Sequence, residues 1–358
     1  MLVQVKPSDE IRKLLRPMVS SEAQEMLMLA GEPPALRIHG TLVRQGEEPL
    51  DPAELTSMAA QLFGEEAVAG LGGSTGLLRG IANIDGSAYG RAGENLRIMF
   101  TASRSGGEVS LAARMAAYRI VGPDQIGLPQ AVLDAADAPS GLLIFTGPTG
   151  SGKTSAAAAV LEHLNATKPL HICLMDDPMQ FQLQPKLSIV QHKDLHIDMP
   201  DFVSGMRAAM AQDIDVIYLA EIRTLEELRM CLTIAQTGHL VITVLHANTA
   251  LDAVERIRRA FPDEDNGAGR RDLADALRCV TALRLLRRSS GQGRVAAYEV
   301  LIPDEEMREA IASGNALQDH ASKLPQGSQS FADSLSALLE SGAVTQAEVD
   351  RVQRELGS

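Results

Sequence analysis

The segment LLIFTGPTGSGKT, residues 142–154, decides the fold, because it joins a fully apolar run to a glycine-rich loop that opens a helical pattern. A loop of the form GxxxxGK followed by Ser or Thr lets backbone N–H groups close on phosphates, while its lysine reaches the β and γ phosphates. Its final hydroxyl binds Mg²⁺. The segment predicts a site for ATP and Mg²⁺, made of Gly147, Pro148, Thr149, Gly150, Ser151, Gly152, Lys153 and Thr154.

Composition and net charge indicate which partners and which compartment to expect. The chain has 358 residues, enough for two or three domains, and a formal net charge of −13, which disfavours nucleic acid and anionic membranes as partners. We interpret the basic stretch 284–294 as a solvated face or as a contact between the subunits of a ring-shaped assembly. Three scattered cysteines predict neither a disulfide framework nor a zinc site, so we expect a reducing cytoplasm. Without a leader-like start or a long apolar run, we expect neither export nor a membrane span.

Apolar periodicity and turn residues predict four regions. Residues 1–117 form a small α+β domain, with helices at 14–29 and 53–71 and strands at 35–39, 77–84 and 96–101. Residues 118–129 are rich in glycine and proline and form a linker. Residues 130–303 alternate strands and helices, which is typical of a parallel α/β sheet covered on both faces. Residues 304–358 return to a helical pattern, with helices at 305–312, 331–339 and from 345.

The α/β region has predicted strands at 142–146, 170–175, 216–219 and 240–245, with helices from 152, near 202 and at 225–236. Ligands of such sheets bind at the carboxyl ends of the strands. Glu221 follows one strand and is expected near Mg²⁺, although an acid there also suits a helix N-terminus. Asp176, with Asp177, follows another and could activate water, although Asp-Asp-Pro is also a common turn.

Two histidines, His239 and His246, flank the strand 240–245. His246 falls where a side chain could sense the γ-phosphate. A lone histidine is more often structural or exposed, so both interpretations stay open.

These segments together resemble the PilT/PilU-type retraction ATPases of type IV pili, within the secretion ATPase superfamily. The specific likeness lies in the phosphate loop, the Asp box, the Walker B segment and the two histidine segments: residues 147–154, 175–181, 220–223, 237–240 and 245–248. Weaker likeness is found at residues 31–34, 37–40 and 306–311.

The resemblance implies an N-terminal PAS-like α+β domain followed by a RecA-like P-loop ATPase domain with C-terminal helices. It also implies a hexameric ring, in which the N-terminal domain of one subunit packs on its neighbour. Arg97 and Arg114 match arginines that reach the phosphates of an adjacent site, and Arg207 matches the first of a further pair. In this comparison Asp176 takes the place of the catalytic base, Glu221 binds Mg²⁺ and His246 senses the γ-phosphate.

The departures from the family pattern concern hydrolysis. The family has Glu where this chain has Asp176, whose carboxylate is one methylene shorter. A displacement of about 1 Å at a catalytic group can cost two orders of magnitude in rate, so slow turnover is an open alternative to an active motor. The second arginine of the pair is replaced by Ala211, a proline by Ile214, and the Walker B pattern differs across residues 220–224.

The leading hypothesis is a cytoplasmic hexameric ATPase, peripheral to the inner membrane, that powers type IV pilus retraction and twitching motility through a membrane platform protein. A first alternative is a weakly hydrolysing or non-hydrolysing accessory ring subunit that works with a paralogous ATPase. A second alternative is an ATPase of a type IVB or type II-like secretion system. Nucleic acid is not an expected partner.

Overall fold

The computed structural model describes residues 2–21, 23–38, 41–73, 76–91, 95–116, 120–262, 265, 267–315, 317 and 324–357. The chain divides into two units. The first comprises Met1–Arg119, Pro178–Gln182 and Asp194–Pro200. The second comprises Ile120–Asp177, Leu183–Lys193 and Asp201–Ser358.

The first unit is built on a seven-stranded sheet with short helices. Its strands are β1 (Leu2–Gln4), β2 (Glu25–Met28), β3 (Ala35–Ile38), β4 (Thr41–Arg44), β5 (Leu78–Asp85), β6 (Asn95–Ser105) and β7 (Glu108–Met115). Its α-helices are α1 (Asp9–Leu14), α2 (Arg16–Ser20), α3 (Pro52–Phe63) and α4 (Glu65–Ala69). The strand order is β1-β5-β6-β7-β2-β3-β4, in which β1 pairs parallel with β5 and the other pairs are antiparallel.

Local signals explain the helical part of this unit. Asp51 caps α3 by accepting hydrogen bonds from the backbone N–H groups of Ala53 and Glu54, and Pro52 occupies the first turn. Gly64, with a φ of 88°, ends α3 and separates it from α4. The helix predicted at 53–71 is therefore confirmed, with a break at this glycine.

The helix predicted at 14–29 is wrong after Ser20. Residues 25–28 form β2, in which Met26 and Met28 are buried while Glu25 and Leu27 are partly exposed. This alternation has a period of two, which fits a strand and not a helix. The strand predicted at 35–39 is confirmed as β3, but its last residue, His39, lies outside the described residues, as does Gly40.

The second unit is built on a second seven-stranded sheet. Its strands are β8 (Gly141–Thr146), β9 (His171–Asp176), β10 (Ile189–Asp194, whose last residue belongs to the first unit), β11 (Val216–Leu219), β12 (Leu240–Val244), β13 (Leu277–Arg287) and β14 (Arg294–Leu301). The order is β10-β9-β11-β12-β8-β13-β14. Each neighbouring pair from β9 to β13 is parallel, whereas β13 and β14 form an antiparallel hairpin.

Ten helices accompany this sheet in the part of the chain that the structure describes. They are α5 (Pro123–Ile126), α6 (Gln130–Ala136), α7 (Lys153–Thr167), α8 (Phe202–Met210), α9 (Leu225–Gln236), α10 (Ala250–Ala260), α11 (Ala268–Ala276), α12 (Glu305–Ser313), α13 (Phe331–Glu340) and α14 (Gln346–Gly357). None of the described helices combines the length and apolar character needed to cross a bilayer.

The central strands follow their sequence patterns. Every residue of β8, β11 and β12 is buried, as expected for parallel strands whose two faces are covered. The four strands predicted in this region are confirmed to within one residue. The patterns predicted neither β10 nor the β13–β14 hairpin. Residues 118 and 119 of the predicted linker lie outside the described residues, and α5 occupies its middle.

The interpretation of residues 284–294 as a solvated face is wrong for Arg284, which is only 3% exposed. Strand β13 lies between β8 and β14, so the middle of the strand is enclosed on both edges. Towards the turn of the hairpin, Arg287, Arg288 and Arg294 are exposed, as that interpretation predicted.

Candidate nucleotide-binding site

Four functional segments meet at one edge of the second sheet. Strands β9, β11, β12 and β8 are neighbours in that order and run parallel, so their carboxyl ends share an edge. Asp176 ends β9, Glu221 comes two residues after β11, His246 two residues after β12, and the phosphate loop directly after β8. The topology therefore brings together the loop and three side chains that the sequence predicted separately.

The phosphate loop requires glycine at its bends. Gly147 has a φ of 146°, and a Cβ atom there would lie 2.5 Å from Ser151 Oγ and 2.7 Å from the carbonyl oxygen of Leu283. Gly152 has a φ of 98° and precedes the first residue of α7. Because these conformations favour glycine, the loop can turn sharply and present the N-terminus of a fifteen-residue helix to an anion.

Lys153 lies inside this loop. Its Nζ donates hydrogen bonds to the carbonyl oxygens of Gly147, at 2.9 Å, and Pro148, at 2.8 Å. Burial lowers the pKa of Lys153, the charge of Glu221 opposes that shift, and the charge of Arg284 adds to it. The ammonium group is therefore held within the loop, where the phosphates of a nucleotide would bind.

The segment after β12 is tied to the end of β8. Thr146 Oγ1 accepts a hydrogen bond from the backbone N–H of Ala247, at 2.9 Å, and donates one to the Ala247 carbonyl oxygen, at 3.1 Å. Gly147, Pro148, His246, Ala247 and Asn248 together line a pocket. The histidine segment thus forms one wall of the site and the phosphate loop the other.

Glu221 interacts with two basic side chains. Its Oε1 lies 3.4 Å from His246 Nε2, and its Oε2 lies 3.2 Å from Arg223 Nε. Arg223 Nη1 in turn lies 3.4 Å from Asp177 Oδ2, so one guanidinium group bridges the acids that follow β9 and β11. The carboxylate of Glu221 remains partly exposed and suits coordination of Mg²⁺ together with the hydroxyl of Thr154.

Asp176 is 3% exposed and lies at the last position of β9. Its Oδ1 accepts a hydrogen bond from the backbone N–H of Asp177 at 2.7 Å. Burial and the negative charge of Asp176 raise the pKa of Tyr218, a neighbour on β11. A buried carboxylate at this sheet edge has the position expected of a group that orients water.

The surroundings of His246 shift the pKa of its imidazole. Burial, followed by the positive charge of Lys153, lowers the pKa of His246 below its ordinary value of 6.5, although Glu221 opposes the shift. The imidazole is therefore neutral at pH 7. A neutral ring can both donate and accept a hydrogen bond, which suits contact with a phosphate oxygen or a water molecule.

Four further residues were assigned to the site from the sequence. His239 precedes β12 at the amino end of the strand, where its Nδ1 lies 3.3 Å from the carbonyl oxygen of Ile234. Arg207 is exposed on α8, 3.8 Å from Glu226. In the first unit, Arg97 on β6 forms a buried ion pair with Asp194, and Arg114 is exposed on β7. The roles of these four residues remain predictions.

Several residues around the site have no counterpart among the predicted site residues. They are Thr146, Arg223, Asn248, Arg256 and Arg284. Arg223 and Asn248 fall inside the motif segments, so their spacing from Glu221 and His246 was a usable signal. Arg256 lies ten residues after His246, on the next helix, outside the motif segments. Arg284 is 36 residues from Asn248, and only the chain fold brings the two together.

Comparison with known proteins agrees with this geometry. The family model described as "Type II/IV secretion system protein" matches residues 124–351. The "Type IV pilus retractation ATPase PilT" of Pseudomonas aeruginosa is 30% identical over 319 residues, which cover 89% of this chain and 90% of that protein. The "Type IV pilus ATPase PilU" of the same organism is 28% identical over 342 residues, covering 94% of this chain and 86% of that protein.

A solved structure, described as the pilus retraction motor PilT with bound ADP, has a TM-score of 0.83 and 30% identity, with 96% of each chain covered. This agreement confirms the predicted fold class, a PAS-like α+β domain followed by a RecA-like P-loop domain with C-terminal helices. The chain belongs to the type II/IV secretion system protein family.

Proposed function

We propose that this protein is an ATPase that powers retraction of a type IV pilus, and with it twitching motility. The observation that carries the proposal is the assembly of the phosphate loop, Asp176, Glu221 and His246 at one edge of a RecA-like sheet. The similarity to a retraction ATPase over nine-tenths of the chain supports the same function. Hydrolysis of ATP to ADP and phosphate is the corresponding reaction.

Each side chain of the site has a separate task. Lys153 and the backbone of residues 147–154 bind the β and γ phosphates, and Thr154 and Glu221 would hold Mg²⁺, which neutralises phosphate charge when bound. Asp176 orients and deprotonates the attacking water, and His246 contacts the γ-phosphate end. Asp177 fixes Arg223 and, through it, Glu221.

The working assembly is a homo-hexamer in which Arg114 and Arg207, both exposed, contribute to a neighbouring subunit's site, and Arg97 does so after leaving its ion pair with Asp194. Its location is the cytoplasmic face of the inner membrane, at a pilus platform protein. These proposals follow from the family resemblance and predict a nucleotide-stabilised particle of six chains. Sedimentation analysis with and without ATP would test this, and a particle that stays monomeric at all concentrations would contradict it.

The similarity to retraction ATPases favours a motor over an accessory subunit without turnover. Replacing Lys153 by alanine tests the core of the proposal, because it removes the cation inside the phosphate loop. We expect phosphate release by the purified variant to fall to background. Lys168→Ala, at the opposite end of α7, is the matched control and should retain the wild-type rate. Undiminished phosphate release by the Lys153 variant would contradict the assignment of the site.

A further inference from the structure

The loop from His246 to Ala250 is fixed by charged side chains from later parts of the chain. Arg256 on α10 donates from Nη1 to the His246 carbonyl oxygen at 2.5 Å. Glu299 on β14 accepts a hydrogen bond from the Ala250 backbone N–H at 2.5 Å. Between these two contacts, Arg284 on β13 donates from Nη2 to Asn248 Oδ1 at 3.2 Å. Three charged side chains therefore fix the segment that forms this wall of the pocket.

Arg284 is the unusual member of this group, because it is a cation in the interior. It is 3% exposed, and its Nη1 donates to the carbonyl oxygen of Leu283 at 3.1 Å. Its guanidinium lies over the ring of Phe331, 5.7 Å from the ring centre. Burial lowers the pKa of Arg284, and Glu355, Glu299 and Asp252 oppose that shift. Burying a charge costs free energy, and a surface arginine would avoid that cost.

The position of Arg284 relates this charge to the phosphate site. The carbonyl oxygen of Leu283, which Arg284 contacts, is the atom that a side chain at Gly147 would approach. The positive charge of Arg284 also reaches Lys153, whose pKa it helps to lower after the larger effect of burial. The guanidinium thus lies next to both walls of the pocket. It reaches the phosphate loop through the Leu283 carbonyl oxygen, and it contacts the second wall at Asn248.

We propose that Arg284 is a positioning residue for nucleotide binding, which holds the Asn248 side chain and through it the His246–Asn248 wall against the phosphate loop. The inference deepens the proposed function and rests on it. Asn248 lines the pocket, so its orientation decides which polar atom faces a bound nucleotide. A free asparagine side chain would have to be ordered on binding, and that ordering would weaken the affinity.

The test measures affinity for a fluorescent ATP analogue with Mg²⁺, together with KM and kcat for ATP, in the full-length protein. Arg284→Met replaces the cation by an apolar chain of similar length and should weaken binding about tenfold to a hundredfold, as expected when a hydrogen bond from a charged group is lost. We expect the effect mainly in KM, since the side chain touches no reacting atom. Arg294→Met, on the exposed part of the same hairpin, is the matched control and should match the wild type.

Asn248→Ala removes the acceptor, keeps the guanidinium of Arg284 in place and should weaken binding to a similar extent. The double variant Arg284→Met/Asn248→Ala should bind within about twofold of Arg284→Met alone, because the two residues act through one contact. Multiplied losses in the double variant would overturn the inference, as would wild-type affinity in folded Arg284→Met. Should Arg284→Met fail to fold, unchanged affinity in Asn248→Ala would overturn it equally. Failure of the wild type to bind nucleotide would instead contradict the proposed function.

Discussion

At the scale of the residue, the carboxylates at the sheet edge differ in their surroundings. Glu221 is partly exposed and lies between His246 and Arg223, whereas Asp176 is enclosed and bonded to its own neighbouring backbone N–H. An exposed acid beside the phosphate loop suits a metal ligand. An enclosed acid suits a group that orients one water molecule. The two surroundings therefore differ in the way that the tasks proposed for Glu221 and Asp176 require.

Replacement of Asp176 by asparagine tests its task. Asparagine keeps the size and an acceptor oxygen but cannot take a proton, so we expect kcat to fall about a hundredfold or more while nucleotide affinity changes little. Phosphate release and binding of the ATP analogue measure the two quantities. If kcat stayed at the wild-type value, another group would have to activate the water.

The pH dependence of turnover reports on His246. The pKa of His246 lies below its ordinary value of 6.5. The imidazole is therefore neutral at pH 7 and gains a proton only below pH 6.5. A protonated ring would pair more strongly with Glu221 and withdraw that carboxylate from Mg²⁺. We expect kcat/KM to fall on acidification, with an apparent pKa below 6.5.

The variant His246→Gln has no ionisable ring and should lose this acidic limb of the profile. His163→Gln, on α7, is the control and should keep it. A limb that is identical in His246→Gln and the wild type would assign the titration to a different group.

At the scale of the element, helix α9 shows how a cap also shapes the site. Thr224 Oγ1 accepts a hydrogen bond from the Glu227 backbone N–H, and Glu227 Oε2 accepts from the N–H groups of Thr224 and Arg223. This capping box satisfies donors at the helix start. It also fixes the backbone of Arg223, whose side chain bridges Asp177 and Glu221.

Thr224→Ala removes half of this capping box. We expect it to lower the free energy of unfolding of the second unit by about 0.5–2 kcal/mol. Urea unfolding followed by far-UV circular dichroism measures the change. Thr233→Ala, an exposed position within the same helix, should stay within about 0.5 kcal/mol of the wild type. Equal midpoints for the Thr224 variant and the wild type would show that the box contributes nothing.

At the scale of the whole molecule, a buried ion pair joins residues that are 97 positions apart. Arg97 and Asp194 are 10% and 5% exposed, and Asp194 Oδ1 also accepts the backbone N–H of Met179. The pair therefore links β6 to two segments from the middle of the chain that belong to the first unit. Such a pair is costly to break, since one partner is left as an uncompensated buried charge.

Arg97→Met leaves the Asp194 carboxylate without its cation and should lower the free energy of unfolding by about 3–5 kcal/mol. Arg97→Met/Asp194→Asn should recover part of that loss, because no buried charge remains. Arg114→Met, exposed on β7, should change stability by less than about 0.5 kcal/mol. Chemical denaturation provides the comparison. An Arg97→Met protein as stable as the Arg114→Met protein would contradict the structural importance of the pair.

Local chemistry in the sequence determined much of this protein. Apolar runs bounded by turn residues predicted β8, β9, β11 and β12, and the glycines of residues 147–154 predicted the phosphate loop, since backbone conformation and strand periodicity depend on near neighbours. The same use of apolar periodicity wrongly assigned residues 25–28 to a helix. The alternation of buried and partly exposed residues in this strand is only four residues long and follows a helical pattern. It also missed β13 and β14, whose place in the sheet depends on pairing with distant strands.

The side chains that surround the phosphate loop depend on the tertiary structure. The order of four parallel strands brought Asp176, Glu221 and His246 to one edge, and long-range packing enclosed Arg284 behind Asn248 and joined Arg97 to Asp194. An arginine in a sequence is most simply interpreted as a solvated charge, because burying it is costly unless the fold supplies partners. Those partners come from segments tens of residues away. Near neighbours in the chain are enough to predict the phosphate loop, whereas long-range packing places the charges that surround it.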